Sequence, residues 1–130
     1  MQRPSLFRLP LVLLATLAAT GCVTEPYSYL NGYRWSRVEI NTYDMSVATV
    51  DGKSYPTNRD IMIDPGMHRI VFDGPPGRGF KVGVQRPLDI DIEPCTRYWF
   101  QAKKDNPLNQ DFVPEVNYTE HIAGCHAPLG

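Results

Sequence analysis

Between residues 51 and 79 the chain is punctuated by three turn signals, Asp51-Gly52, Asp64-Pro65-Gly66 and Gly74-Pro75-Pro76-Gly77-Arg78-Gly79, and their spacing most limits the folds open to it. Asp-Gly tolerates positive φ at both positions and closes a two-residue hairpin. In the second signal Pro presets the turn and Gly supplies the left-handed residue. With turns roughly ten residues apart and no segment keeping a helical period, the intervening runs read as short strands. The high content of 12 Pro and 10 Gly agrees, since both residues break long helices. The runs fall at 34–40, 45–50, 60–63, 67–73, 80–84, 87–92, 96–103 and 112–122. In the sixth, Leu88, Ile90 and Ile92 alternate with Asp89, Asp91 and Glu93, the pattern of a half-buried strand. The last contains Pro114, which suits an edge strand or a bulge. The expected fold is a single all-β, antiparallel sandwich of about seven strands over residues 34–130.

The first 22 residues carry a different kind of information. Arg3 and Arg8 precede an apolar run at 9–19 that ends in small residues, the three-part layout of a secretory signal. The stretch at 11–20 is shorter than the roughly 20 apolar residues that span a bilayer, so cleavage is favoured over an uncleaved anchor. Leu17-Ala18-Ala19-Thr20-Gly21-Cys22 resembles the lipobox of bacterial lipoproteins, with Ala19 standing where Leu is commonest. The resemblance implies a signal peptide at 1–21, a diacylglyceryl group on the Cys22 sulfur and a further acyl chain, such as palmitate, on its new amino group. Two or more chains turn reversible adsorption into stable membrane anchoring. The alternative is an ordinary leader cut at an Ala-x-Ala-like site, with Cys22 an incidental thiol. Val23, rather than Asp, after the Cys points to the outer membrane of a bacterial envelope, facing the periplasm.

Cysteine parity bears on the same question. Of 3 Cys, assigning Cys22 to lipid leaves the pair Cys95 and Cys125. In an oxidising compartment such a pair is expected to form a disulfide. Residues 22–33 carry Pro26, Asn31, Gly32 and the rings of Tyr27, Tyr29 and Tyr33 without a clear period, and read as a lipidated tether leading to the domain. The rings could sit at a membrane or wall surface, but packing on the first strand is the preferred reading. Arg3 and Arg8 leave with the leader, taking 13 basic residues to 11 against 14 acidic, a net charge of −3. A mildly acidic chain without a basic run argues against nucleic-acid binding.

The middle of the chain has a further likeness. Val47-Ala-Thr-Val-Asp51-Gly52-Lys53, then Ile61-Met-Ile-Asp64-Pro65-Gly66-Met-His68-Arg-Ile70, then Leu88-Asp-Ile-Asp-Ile-Glu-Pro ahead of Tyr98-Trp-Phe, is similar to the pattern of PEGA-type domains. The likeness covers roughly residues 45–103 and lacks the Pro-Glu-Gly-Ala tetrapeptide itself. It implies a small PEGA/transthyretin-like sandwich serving as an accessory binding or surface module, and it transfers no catalytic residue.

Chemistry-bearing residues are sparse. The 74–79 loop lacks a Lys-Ser/Thr pair and its prolines remove amide donors, so it is no nucleotide cradle. His68, after the Pro-Gly turn, is expected to close a local hydrogen bond rather than bind metal. Asp89, Asp91 and Glu93 share one strand face at roughly 6–7 Å intervals, a spacing compatible with a cation, paired acid catalysis or plain solvation. No Gly-x-Ser-x-Gly elbow or His-Glu-x-x-His is present. Two function classes follow. The first is a non-catalytic envelope module with no cofactor, offering Tyr98, Trp99 and Trp35 to a protein or polysaccharide partner if those rings are exposed. The second is a metal-binding or hydrolytic protein built from His121, His126 and the carboxylates.

Overall fold

A computed structural model describes residues 26–32, 39–55, 60–75 and 83–127. The leader, Cys22, the 34–38 part of the first expected strand with Trp35, and residues 80–82 of the fifth lie outside the described residues. The structure is all β, with no helix among the described residues. Nine strands are described: β1 (Ser28–Asn31), β2 (Thr42–Tyr43), β3 (Ser46–Val50), β4 (Lys53–Ser54), β5 (Ile61–Ile63), β6 (Gly66–Asp73), β7 (Gln85–Ile92), β8 (Thr96–Lys103) and β9 (Val113–His121).

They form two sheets packed as a sandwich. In the first, β8 is central: β9 runs along one edge, β1 and β2 share the other, and β5 lies beyond β1. The second has the order β4-β3-β6-β7. All pairs are antiparallel except β1 with β8, which is parallel. That pairing corrects the expected tether. Residues 28–31 belong to the sheet and Leu30 is fully buried, so the folded body includes part of the segment assigned to a linker. Ser28 and Leu30 face inward while Tyr29 and Asn31 face out, the period-2 alternation of a strand covered on one side. The short run hid among aromatics and a Gly, where no longer period could reveal it.

The turn signals work as their chemistry requires, but not all as hairpins. Asp51 and Gly52 have φ of 49° and 83° and join β3 to β4 across the Val50–Lys53 pair. Gly66, at φ 119°, follows Asp64-Pro65, but β5 and β6 lie in different sheets, so this turn is a corner between layers. Residues 39–40 and 83–84, the described ends of the first and fifth expected runs, are not strand; Ile40 is 89% exposed in a turn.

The core lies between the sheets, with Leu30, Ile63 and Phe100 from one facing Val47, Ile70 and Phe72 from the other. The rings of Phe72 and Phe100 meet across the interface at 4.9 Å. Burying side chains of this size stabilises by about 1.5–3 kcal/mol each. Two bulges reset the alternation. Between Val47 and Thr49 the register of β3 against β6 shifts by one residue, so Val47 and Val50 both point inward although they are three apart. Between Trp99 and Phe100 the register against β9 shifts likewise, leaving Tyr118 on the outer face opposite Trp99. Pro114 sits in β9, at the rim of its sheet, as its missing amide favours.

Cys95 and Cys125 are joined by a disulfide. It ties the start of β8 to the segment after β9, and the Cys95 amide donates to the Tyr27 carbonyl at 3.1 Å, fastening the entry to β1 at the same point.

Candidate functional site

The most organised polar constellation stands at the end of the sandwich where the 51–52 hairpin and the 64–66 corner approach one another. Both turns are built by local chemistry, and β6 starts from the second with His68 in the same inward-facing row as Ile70 and Phe72. One imidazole nitrogen, Nδ1, lies 2.5 Å from Asp51 Oδ2, and the other, Nε2, lies 2.8 Å from the Asp64 carbonyl oxygen. The remaining Asp51 oxygen accepts the Arg69 amide at 2.9 Å, and the Asp51 amide donates to the Arg69 carbonyl at 2.8 Å. His68 therefore clasps two turns that are 13 residues apart in the chain, from position 51 to position 64. Both of its neighbours are acceptors, so the doubly protonated ring satisfies both contacts at once.

The electrostatics agree with this geometry. Burial alone would lower the His68 pKa, but hydrogen bonds to Asp51 and to the Asp64 carbonyl outweigh it and hold the ring above the usual histidine range. The Arg69 amide and then the His68 ring hold the Asp51 carboxyl below its usual range. A raised histidine contributes stability that is complete below its unfolded pKa, near 6.5, and is lost as pH rises through the folded value. A lowered aspartate contributes stability above its unfolded pKa, near 3.9, that is lost on acidification. The clasp is thus strongest between about pH 4 and 6.5. The melting temperature is expected to decline modestly from pH 6 towards pH 9, with Asp51 exposed enough to keep the effect small. In His68→Gln that alkaline decline should flatten; an identical pH profile in the variant would show that the clasp does not couple to stability.

Beside the clasp an open cleft of about 460 Å³ lies between β4 and β5, the edge strands of the two sheets. Val50 and Ile63 form its apolar part, Tyr55 and the 59%-exposed Met62 its walls, and Asp51, Asp64 and His68 its polar rim. The Lys53 ammonium lies 5.4 Å from the centre of the Tyr55 ring. With both His68 nitrogens engaged, this rim holds no free imidazole to act as a base. Its lining mixes charged and polar groups, the Lys53 ammonium among them, with apolar ones. Of its members, only His68 was singled out as a site candidate from sequence; Asp51 and Asp64 read as turn formers, and their second use depends on a nonlocal approach.

The expected aromatic contact surface is corrected. Tyr98 and Trp99 are 5% and 8% exposed, so neither ring offers a stacking face. Tyr98 points inward, stacks on Phe100, and its hydroxyl accepts the Glu93 amide at 2.9 Å. Its burial pushes the phenol pKa up. Trp99 points outward but lies against the Tyr118 ring at 5.5 Å and beside the Arg97 guanidinium at 5.9 Å. Arg97 also stacks on Tyr29 at 5.1 Å and pairs with Asp60 at 3.3 Å. Both faces of β8 are covered, the condition under which neighbouring aromatics on one strand are both core. Trp35 lies outside the described residues.

The acidic row is divided rather than convergent. Asp89, Asp91 and Glu93 are exposed as the alternation requires, but Asp89 is held by Arg69 through two contacts of 3.0 and 3.3 Å. His121 ends β9 and His126 follows the bridge, both exposed. Among the described residues no three His, Cys, Asp or Glu side chains are grouped to hold a metal ion. Compared with protein-family models, with curated proteins and with solved structures, this chain matches none.

Proposed function

We propose that this protein is a lipid-anchored envelope lipoprotein, held on the periplasmic side of an outer membrane through Cys22, with a non-catalytic binding or structural role. The supporting observation is the use of its 3 Cys: the bridge consumes Cys95 and Cys125, and the third sits at the end of a lipobox-like leader. A structural disulfide fits an oxidising compartment, and an unpaired exposed thiol would be a liability there. The likeness of residues 45–103 to PEGA-type modules rests on the 51–52 and 64–66 turns, which shape the clasp and the cleft. That cleft, lined by Val50, Tyr55, Met62, Ile63 and the residues of the clasp, is open to an envelope protein or polysaccharide that approaches between the edge strands β4 and β5.

Metabolic labelling with palmitate, followed by cell fractionation, tests the reading. The native chain is expected to carry label and sediment with membranes, whereas Cys22→Ser should lose the label and appear in the soluble periplasmic fraction. A Cys22→Ser chain that stays in the membrane fraction unchanged would refute it.

A further inference from the structure

Resting on the acylation of Cys22, we infer that the end of the sandwich bearing the Cys95–Cys125 bridge is the surface held against the lipid headgroup layer. Tyr27 is fixed to that end, since its carbonyl accepts the Cys95 amide at 3.1 Å and lies 4.0 Å from the Cys125 sulfur. Only five Cα steps separate Tyr27 from Cys22, at most about 18 Å of fully extended chain. The opposite end, where Lys103 meets Thr42 and Val113, lies a full length of β8 away. Eight residues of strand span about 25 Å. Were that far end to rest on the bilayer, Tyr27 would stand farther off than the tether reaches. Inversion is therefore excluded by length alone.

The near end gathers pieces of both sheets. Thr96 pairs with His121, and Gly66 pairs with Ile92, so the 93–95 turn, the 122–126 segment and the 64–66 corner lie together there. Its exposed groups include Glu93, Glu120, His121 and His126. Met67, next to Gly66, is also exposed there, so the end presents one apolar side chain among carboxylates and imidazoles that suit a hydrated headgroup layer, while the lipid and the short tether do the holding. The far end points into the periplasm and presents Leu108, 82% exposed, and Ile40, 89% exposed.

The test uses the full lipidated protein reconstituted in phosphatidylethanolamine–phosphatidylcholine vesicles, with the photo-crosslinking residue p-benzoylphenylalanine in place of His121 or of Leu108. Lipid adducts are expected from position 121 in about tenfold excess over position 108, because a short tether sets a high local lipid concentration at one end only. Inserting a Gly/Ser segment of about 20 residues after Val23 should largely erase that excess. Equal adducts at both positions without the insertion, or none from position 121, on protein that floats with the vesicles would overturn the orientation. Failure of the native chain to float at all would instead overturn the acylation on which it rests.

Discussion

Replacing Leu30 with Ala is expected to destabilise the domain by about 2–5 kcal/mol, the cost of removing most of a fully buried side chain and leaving a partly collapsed cavity. Leu30 is 0% exposed and lies on β1 between Ile61 of β5 and Tyr98 of β8. Because β1 is the strand through which β5 joins its sheet, the loss also weakens that attachment. For a domain of this size the melting temperature should fall by at least roughly 10 °C. Thermal unfolding followed by far-ultraviolet circular dichroism reads the effect directly. A substitution in an unstructured tether would leave the transition in place, and that result would remove β1 from the fold. Tyr29→Ala offers an internal comparison, since its partly exposed outward ring should cost less.

Removing the bridge is expected to have an effect of similar size. The Cys95→Ala/Cys125→Ala chain loses a constraint across a separation of 30 residues, which the chain-entropy model values at about 3–4 kcal/mol. The bridge holds more than its two sulfurs. The Cys95 amide meets the Tyr27 carbonyl, and the Cys95 carbonyl accepts the Ile122 amide at 2.8 Å, so three chain segments converge on one residue. Ser28 reinforces the junction: its hydroxyl donates to the Glu93 carbonyl and accepts the Thr96 amide at 3.1 Å. Denaturant unfolding should show a lower midpoint in the double variant, and limited proteolysis should open first near residues 122–127. An unchanged midpoint would mean that the β8–β9 ladder alone supplies the order at this end.

The two experiments separate kinds of information that the sequence carries unequally. Hairpin 51–52 and strand β7 were legible because their signals are local: a dipeptide able to adopt positive φ, and strict alternation from Leu88 to Ile92. Strand β1 was not legible, since four residues give no period to measure, although Asn31-Gly32 stands at their end. Whether Trp99 is exposed could not be read from the strand itself. Alternation puts it on the face opposite Tyr98 and Phe100, and there Tyr118 of β9, beside a bulge, and Arg97 of the same strand cover it. The His68 clasp was foreseeable only as far as a local hydrogen bond; its second partner, Asp51, comes from the neighbouring hairpin.

From the residues alone came the class of fold, the positions of most strands, the chemistry of the turns and the pairing of the two later cysteines. These rest on short-range sterics and on the parity of thiols in an oxidising compartment. Only the folded chain decided which strands neighbour one another, that β1 runs parallel to β8, and that the 64–66 turn crosses between sheets. Alternation reports whether a side chain faces in or out, but the identity of the strand beside it depends on packing all the apolar faces at once.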